Sequence, residues 1–339
     1  MNTINQEKDL AALPPQNGRS SRLYRLWNTF GPVLGLAAIY LLFVLIGPSS
    51  FAGVRNLETI ARQTAIVGTA ALGMTLIIIS GGIDLSVGSV VAFSTVVIAL
   101  LLQRYHVSPL PAALAGIAGG GLCGLLNGLL ITRLKVVPFI VTLGMMLLVR
   151  GLAKGLAGEQ KIDAPITWLN ELMAALPQGR RWLLVPWGVW ILIGMAVVMV
   201  LVLRYTLLGR YTYAIGSSEQ TARLCGVAVQ RVKIYLYTLS GCLVGLAGLM
   251  QYSRLTVGDP TVAVGLELDV IAAVVIGGGS LSGGEGSVLG SMIGALIMTV
   301  IRSGCSQMGL PNWVQEIITG AIIVIAVTLD LLRRRKYTA

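Results

Sequence analysis

Residues 65–103 read AIVGTAALGMTLIIISGGIDLSVGSVVAFSTVVIALLLQ, and Asp84 is the only acid among them. A helix needs about 20 mostly apolar residues to cross the hydrocarbon of a bilayer. The runs on either side of the glycine pair approach that length. We therefore predict membrane spans near 60–80 and 85–103, joined by a glycine-rich connection.

The rest of the chain repeats this pattern. Of its 339 residues, 55% are hydrophobic and only 12% are charged, about half the charged share of a soluble domain. Further predicted spans lie near 30–48, 109–132, 136–153, 183–203, 233–252, 265–279, 287–303 and 314–332. These segments predict an all-α, polytopic bundle of about ten spans. The segments at 60–80 and 265–279 end in glycine clusters, so each is open to a second interpretation as a broken or re-entrant helix.

The basic residues predict the orientation of the bundle. Ten spans put both termini on one side, and that side receives 15 of the 25 basic residues. They are Lys8, Arg19, Arg22, Arg25, Arg133, Lys135, Arg204, Arg210, Arg223, Arg231, Lys233, Arg333, Arg334, Arg335 and Lys336. The positive-inside rule then places both termini in the cytoplasm.

This orientation divides the chain into regions. Residues 1–28 are predicted to be a cytoplasmic tail, residues 29–332 the transmembrane domain, and residues 333–339 a basic cytoplasmic end. Within the domain, 154–182 is predicted to be an external loop and 204–232 a cytoplasmic one. Neither loop is large enough to fold as a catalytic domain.

The composition argues against several other classes of protein. The net charge of +11 is spread between apolar segments and forms no basic stripe, so we expect no nucleic-acid partner. The single histidine and four scattered cysteines show no metal-ligand spacing, so we expect no metal site. Residues 281–285, LSGGE, resemble the signature of ATP-binding-cassette ATPases. We interpret this as coincidence, because the chain holds no GxxxxGK[ST] phosphate loop.

The cytoplasmic loop 204–232 contains a predicted short helix, Ser218 to Cys225. Ser217 and Gln220 have the spacing of a capping box, Glu219 would lie in the first turn, and Gly226 can end the helix in a left-handed conformation. A helix of two turns is marginal in water, so it must pack against something. Its own transmembrane helices or a cytoplasmic partner would serve.

Two glycine clusters, SGGIDLSVGSVVAF at 80–93 and GGGSLSGGEGSVLG at 277–290, each lead into an apolar helix. Glycine-interrupted segments in the two halves of a transporter point to its permeation site. We therefore predict that a translocation pathway involves residues of these clusters, together with one amide. They are Gly82, Asp84, Ser86, Asn127, Gly278 and Ser282.

Two of these residues have a second interpretation. Asp84 can instead cap a helix beginning at Leu85 by accepting from the amide of Ser86 or Val87, and the two roles can coexist. Asn127 can hydrogen-bond across helices rather than line a path. Of the other ionisable residues near the membrane interior, Glu267 and Asp269 are predicted at the external start of a span.

Four stretches together resemble one family. They are GMTLIIISGGIDLSVGS (73–89), NGLLITRLKVVPFIVTLGMMLLVRG (127–151), YAIGSSEQTARLCGVAVQRVKIYLYTLSGCLVGLAGLM (213–250) and LELDVIAAVVIGGGSLSGGEGSVLGSMIGAL (266–296). They resemble the permease subunit of ribose-type carbohydrate ABC importers, and the resemblance covers nearly the whole chain from about residue 30. The fold that it implies is that of a type II ABC importer.

This resemblance implies a function and a set of partners. The chain would be a bacterial inner-membrane permease that moves a monosaccharide or related polyol inward by alternating access. Two copies would pair with cytoplasmic cassette ATPases, which would carry ATP and Mg, and with an external solute-binding protein. No cofactor or catalytic residue is expected on this chain. The coupling element toward the ATPase would comprise Gly216, Ser217, Glu219, Ala222, Arg223 and Gly226.

Other functions remain open at this point. A permease for branched-chain amino acids shares the general architecture. An ion-coupled secondary transporter would need ionisable groups at the midplane, where Asp84 is the main candidate. A membrane-embedded enzyme is disfavoured, because the sequence shows no histidine cluster, paired carboxylates or activated nucleophile.

Overall fold

The computed structural model describes the backbone of residues 18–176 and 185–338, and side chains within 31–176, 185–325 and 327–328. The described chain is predominantly α-helical, as predicted. The helices are α1 Gly18–Ile46, α2 Val54–Ile79, α3 Val87–Gln103, α4 Pro109–Arg133, α5 Pro138–Ala157, α6 Trp168–Glu171, α7 Trp187–Tyr205, α8 Leu207–Ser217, α9 Glu219–Leu224, α10 Val229–Leu255, α11 Leu266–Ile276, α12 Val288–Gln307 and α13 Asn312–Thr338. Two strands, β1 Ile162–Asp163 and β2 Val257–Gly258, pair antiparallel.

The two terminal helices extend into regions predicted as tails. The first helix begins at Gly18, inside the segment predicted as an N-terminal tail, and the last runs to Thr338 through the basic cluster. Residues 1–17 of the predicted tail, residues 177–182 of the predicted external loop and residue 339 lie outside the described residues.

Helix boundaries follow local chemistry. Pro109 and Pro138 begin α4 and α5, where a missing amide costs no hydrogen bond. Gly158 ends α5 in a left-handed conformation, φ +60°. Thr206 caps α8 by accepting from the amide of Gly209.

Six of the described helices are long and apolar enough to cross a membrane: α2, α4, α5, α7, α10 and α12. Shorter apolar helical stretches lie at Gly31–Ile46, Val87–Gln103 and Asn312–Ile325. Helix α2 is continuous for 26 residues, so the interpretation of 60–80 as a broken helix is wrong. Helix α11 has only 11 residues, about 16 Å, so 265–279 is not a full span and its re-entrant interpretation fits.

The bundle is assembled around α2, most of whose apolar stretch is buried. Helices α4 and α10 approach so closely that an added Cβ at Gly120, Gly124 or Gly128 would meet the backbone of α10. Small residues permit such contacts where lipid supplies no hydrophobic drive between helices. Polar pairs join α2 to α12, among them Thr64–Thr299 and Thr75–Ser291, each 2.7 Å between hydroxyl oxygens.

The two polar connections meet opposite ends of α2. At its start, Arg62 donates to the carbonyl of Met173 (3.2 Å) and Glu58 accepts from the amide of Leu176 (2.8 Å). At its other end, the carbonyl of Ile79 accepts from Gly284 (2.8 Å) beside the loop that carries α9. Arg62 and Glu58 precede Ile79 by 17 and 21 residues, which is about 26 and 32 Å of helix. The two connections are therefore separated by about the thickness of the hydrocarbon core.

Helix α3 begins deep within the bundle. Gly248 of α10 lies about 28 Å along that helix, counted from Val229. It packs against Ser94 of α3. Since Val87 precedes Ser94 by about 10 Å of helix, α3 starts near 18 Å along α10. Residues 82–86 have no regular secondary structure and connect the end of α2 to this depth.

Helix α11 begins at a similar depth, which the chain reaches from the opposite end of the bundle. The segment 257–265 follows α3 downward: Gly258 contacts Ala99, and Ala263 contacts Gly88. Helix α11 then runs to Ile276 at the end of the bundle where Gly284 meets Ile79. The starts of α3 and α11 therefore meet near mid-depth, and the two helices leave in opposite directions.

Candidate functional site

A helical hairpin, α8 and α9, forms most of the segment predicted as a cytoplasmic loop. The N-cap of α9 is Ser218, whose Oγ accepts from the amide of Thr221 (3.2 Å). The predicted capping box of Ser217 with Gln220 is therefore wrong by one residue. Ser217 is the last residue of α8, and an N-cap needs the extended backbone that Ser218 has, with φ −162° and ψ 106°.

The other end of α9 matches its sequence pattern. Gly226 has φ +83°, as predicted, and the amide of Val227 donates to the carbonyl of Ala222 (3.1 Å). This pairing is that of a Schellman motif. The helix, Glu219–Leu224, is one residue shorter at each end than predicted.

Glu219 tethers α9 to the bundle. It lies in the first turn, as predicted, and its carboxylate pairs with Lys233 of α10 (2.6 Å) and with Arg223 (2.9 Å). The hydrogen bond from Lys233, opposed in part by desolvation, lowers the pKa of Glu219 below its ordinary value of 4.5. These contacts supply the packing that so short a helix requires.

We expect the Glu219 tether to weaken in acid. Because the folded pKa is lowered, its contribution to stability is present above the unfolded pKa, near 4.5, and is lost as pH falls through the folded value. At neutral pH, Glu219→Gln should therefore reduce amide-exchange protection in α9, and the difference from wild type should narrow below pH 4.5. Glu159→Gln, on the exposed start of the other connection, is the control. A difference that is constant with pH would contradict the ion-pair assignment.

The outer surface of α9 is exposed. Leu224 is 82% accessible, and Arg223 and Cys225 are exposed beside it. Ala222 faces inward and is 4% accessible. An exposed apolar residue next to a cation at the tip of a hairpin is suited to contact another protein.

The base of this hairpin touches the second glycine cluster and Ile79, the residue that precedes the first cluster. An added Cβ at Gly216 would overlap the carbonyl oxygen of Ile79 and the amide nitrogen of Gly284. Gly283 and Gly284 adopt left-handed conformations, φ +85° and +77°, and Gly283 also packs against Gly81. The base of the hairpin that carries α9 is therefore in direct steric contact with the end of α2 and with the connection between α11 and α12. A movement of α9 would act on both.

Four of the predicted pathway residues lie together in a buried cluster. Asp84 Oδ1 accepts from the amide (2.8 Å) and hydroxyl (2.6 Å) of Ser86, whose Oγ accepts from Asn127 Nδ2 (3.1 Å). Gly82 lies against the hydroxyl of Tyr237, since a Cβ there would contact it. Asn127 Oδ1 and the Tyr237 hydroxyl are buried without a hydrogen-bond partner.

This geometry corrects the capping prediction for Asp84. The bond from the Ser86 amide is confirmed, but α3 begins at Val87 and not at Leu85. Asp84 therefore closes the turn that precedes the helix. The other two predicted pathway residues lie apart from this cluster: Gly278 and Ser282 are exposed in the connection between α11 and α12.

Two acids of α11 lie at positions that the sequence did not indicate. Asp269, 1% accessible, pairs with Arg302 of α12 at 2.6 Å. Glu267 lies against Gly88 at the start of α3, and its Oε2 is buried without a hydrogen-bond partner. The prediction that both acids lie at the external start of a span is wrong, because the chain descends along α3 before α11 begins.

Lys233, Tyr237 and Arg302 were missed as parts of these sites. Each contacts a partner far away in the sequence, and no local spacing relates the two. Among the described residues, no three of His, Cys, Asp or Glu come together as a metal-ligand set.

Comparison with known proteins identifies relatives along most of the chain. Residues 56–327 match the family described as branched-chain amino acid transport system / permease component. The ribose import permease of Escherichia coli (strain K12) is 38% identical over 87% of this chain and 92% of its own length. The ribose import permease of Bacillus subtilis (strain 168) is 40% identical over 88% and 92%. The L-arabinose ABC transporter permease of Azospirillum brasilense is 35% identical over 97% and 95%. No solved structure gives a significant match.

Proposed function

We propose that this chain, which belongs to the permease-component family of these ribose and L-arabinose transporters, is the membrane subunit of an ATP-driven importer for a monosaccharide or related polyol. The observation that carries the proposal is identity of 35% to 40% with sugar permeases along nearly the full length of both chains. The matching family is itself described by branched-chain amino acid transport. Sugar is favoured because these relatives are named for sugars.

We place the contact with the ATPase on α9. Its exposed Leu224 and Arg223 offer an apolar and a cationic contact to a cytoplasmic partner. ATP and Mg would be bound by that partner, and hydrolysis would take place there. Force applied to α9 would reach the end of α2 and the second glycine cluster through Gly216, which contacts Ile79 and Gly284. Arg223 and Gly226, predicted in the coupling element, lie at the end of α9 and just beyond it.

The remaining partners are assigned to other surfaces. The connection beyond α5 meets the opposite end of α2 from α9, which supports an external position and contact with a solute-binding protein. Helix α5 exposes Leu147, Leu148 and Leu152 beside Gly151, which has open space around it. Such a face favours close packing of a second helix, and we assign it to a second copy of the permease.

The orientation follows from the position of α9. If α9 is cytoplasmic, the end of α2 at Ile79 and the second glycine cluster are on that side as well. The protein would be a multi-pass protein of the bacterial cytoplasmic membrane with both termini in the cytoplasm. This agrees with the excess of basic residues assigned to that side.

Uptake of labelled ribose, L-arabinose and fructose into vesicles tests the function. The permease is co-reconstituted with candidate ATPase and binding-protein partners, with ATP inside or absent. Uptake of a sugar that requires ATP and both partners is expected. Uptake by this chain alone along an ion gradient, or ATP-dependent uptake of leucine in place of all three sugars, would overturn the proposal.

Asp84 distinguishes the importer from an ion-coupled transporter. Asn at this position retains an oxygen that accepts both bonds from Ser86, so Asp84→Asn should leave ATP-dependent uptake within about twofold of wild type. Asp84→Leu removes the acceptor from a buried amide and hydroxyl, which costs about 1–3 kcal/mol for each unsatisfied group, and should reduce uptake strongly. Loss of uptake in Asp84→Asn, with protein of normal yield and size, would instead indicate that the charge is required.

A further inference from the structure

The meeting point of α3 and α11 carries charged groups at mid-depth. Glu267 lies in the first turn of α11 and against Gly88 in the first turn of α3. A carboxylate is stabilised by the positive ends of two helices at such a position. Ser89, in the same turn of α3, is fully buried and its Oγ has no hydrogen-bond partner. Polar atoms without partners are thus concentrated at this point.

Arg150 supplies the opposite charge. It lies 12 residues after Pro138, about 18 Å along α5, and its Nη1 donates to the carbonyls of Pro260 (3.0 Å) and Val262 (2.7 Å). These bonds fix the guanidinium at the bottom of the descending segment. Val262 adjoins Ala263, which packs against Gly88 together with Glu267, so Arg150 lies near Glu267. Asp259 already pairs with Lys161 at 3.3 Å.

Both Arg150 and Glu267 are partly exposed. Charged side chains at the centre of a bilayer face the bundle interior or water, since exposure to lipid is costly. The neighbouring α5 surface exposes Leu147 and Leu148, and the space around Gly151 is open. The pair therefore lies beside a face of the protomer that needs either water or a second copy against it.

We propose that Arg150 and Glu267 form a binding point for the hydroxyl groups of the transported sugar or polyol at mid-membrane. This inference rests on the proposed function and specifies a site for its substrate. A guanidinium offers donors and a carboxylate offers acceptors, and vicinal hydroxyls can use both. The two charges balance, which suits an uncharged ligand.

A zwitterionic amino acid is the competing ligand for such a pair. Its carboxylate would match Arg150 and its ammonium group would match Glu267. The relatives named for sugars favour the uncharged ligand, and the experiment separates the two.

Substituted-cysteine labelling tests the site in the full complex in lipid nanodiscs. Val262→Cys and, independently, Ala263→Cys, two partly exposed positions beside Arg150 and Glu267 that leave both charges in place, are introduced after the four native cysteines are replaced, and a charged methanethiosulfonate reagent is added. Both thiols should react, and at least one of ribose, L-arabinose and fructose should slow the reaction about tenfold at saturating concentration. Val197→Cys, on the exposed apolar face of α7, is the control and should not react.

Each other outcome overturns the inference. If neither thiol reacts, with or without nucleotide, the pair does not border a water-filled path. If the thiols react and sugar gives no protection, the path is present but this pair does not bind substrate. Protection by leucine and not by ribose, L-arabinose or fructose identifies an amino-acid site. Failure of sugar uptake by the unsubstituted complex refutes the proposed function separately, because labelling does not depend on transport.

Discussion

Gly216→Ala is expected to abolish coupled sugar uptake. The added Cβ would overlap the carbonyl oxygen of Ile79 and the amide nitrogen of Gly284, the two atoms of a 2.8 Å hydrogen bond. Both are backbone atoms, so no side-chain rotation relieves the overlap. Overpacking of this kind costs about 1–3 kcal/mol or more, and here it would separate α8 from the end of α2 and from the second glycine cluster.

The effect on coupling can be measured as ATP hydrolysed per sugar imported by the reconstituted complex. In Gly216→Ala we expect uptake to fall at least about tenfold, as a barrier increase of about 1.4 kcal/mol predicts. Gly320→Ala is the matched control, because it makes the same substitution in a helix with nothing within 4 Å of the new atom. Normal uptake in Gly216→Ala would mean that the hairpin base is free to shift, and that the contact does not transmit force.

Separating Asp269 from Arg302 is expected to cause the largest loss of stability. Asp269 is 1% accessible and its Oδ2 lies 2.6 Å from Arg302 Nη2. Removal of one partner of a buried ion pair leaves the other uncompensated, which costs about 3–5 kcal/mol. Arg302 is partly exposed and Asp269 is buried. Loss of Arg302, which leaves the buried Asp269 carboxylate unpaired, should therefore destabilise the protein more than loss of Asp269. Arg302→Met should therefore lower the midpoint of thermal unfolding in detergent substantially.

The paired substitution separates charge from packing. The double variant Asp269→Leu with Arg302→Met removes both charges and keeps apolar volume, so it should recover most of the lost stability. Glu316→Gln, at an exposed position of α13, should change the unfolding midpoint little. If the double variant is as unstable as Arg302→Met, the loss comes from packing around the side chains and not from the unpaired carboxylate.

Predictions from the sequence succeeded where the deciding contacts are local. Gly226 follows the last turn of α9. Asp84 accepts a hydrogen bond from the amide of Ser86, which is only two residues later in the sequence. The capping box failed by a single residue, because two adjacent serines both satisfy the local pattern. What selected Ser218 was the end of the preceding helix α8, whose length is set by packing against α2 and α7.

The sequence by itself determined the class of the protein and its helices. Low charge and long apolar runs require a bilayer as solvent, and the limits of those runs locate most ends of the long helices within a few positions. The resemblance to sugar permeases was likewise present in the residues, and the relatives confirm it.

Tertiary structure alone decided where the polar groups of this bundle meet. It joined Gly216 to the end of α2 and to the second glycine cluster, paired Asp269 with Arg302, and brought Glu267 to mid-depth beside α3. Each contact links segments tens or hundreds of residues apart, and each depends on how far a non-helical segment descends before the next helix begins. Hydrophobic periodicity predicts that a helix exists. The depth of that helix within the bundle depends on close packing between backbones, which the hydrophobic pattern does not show.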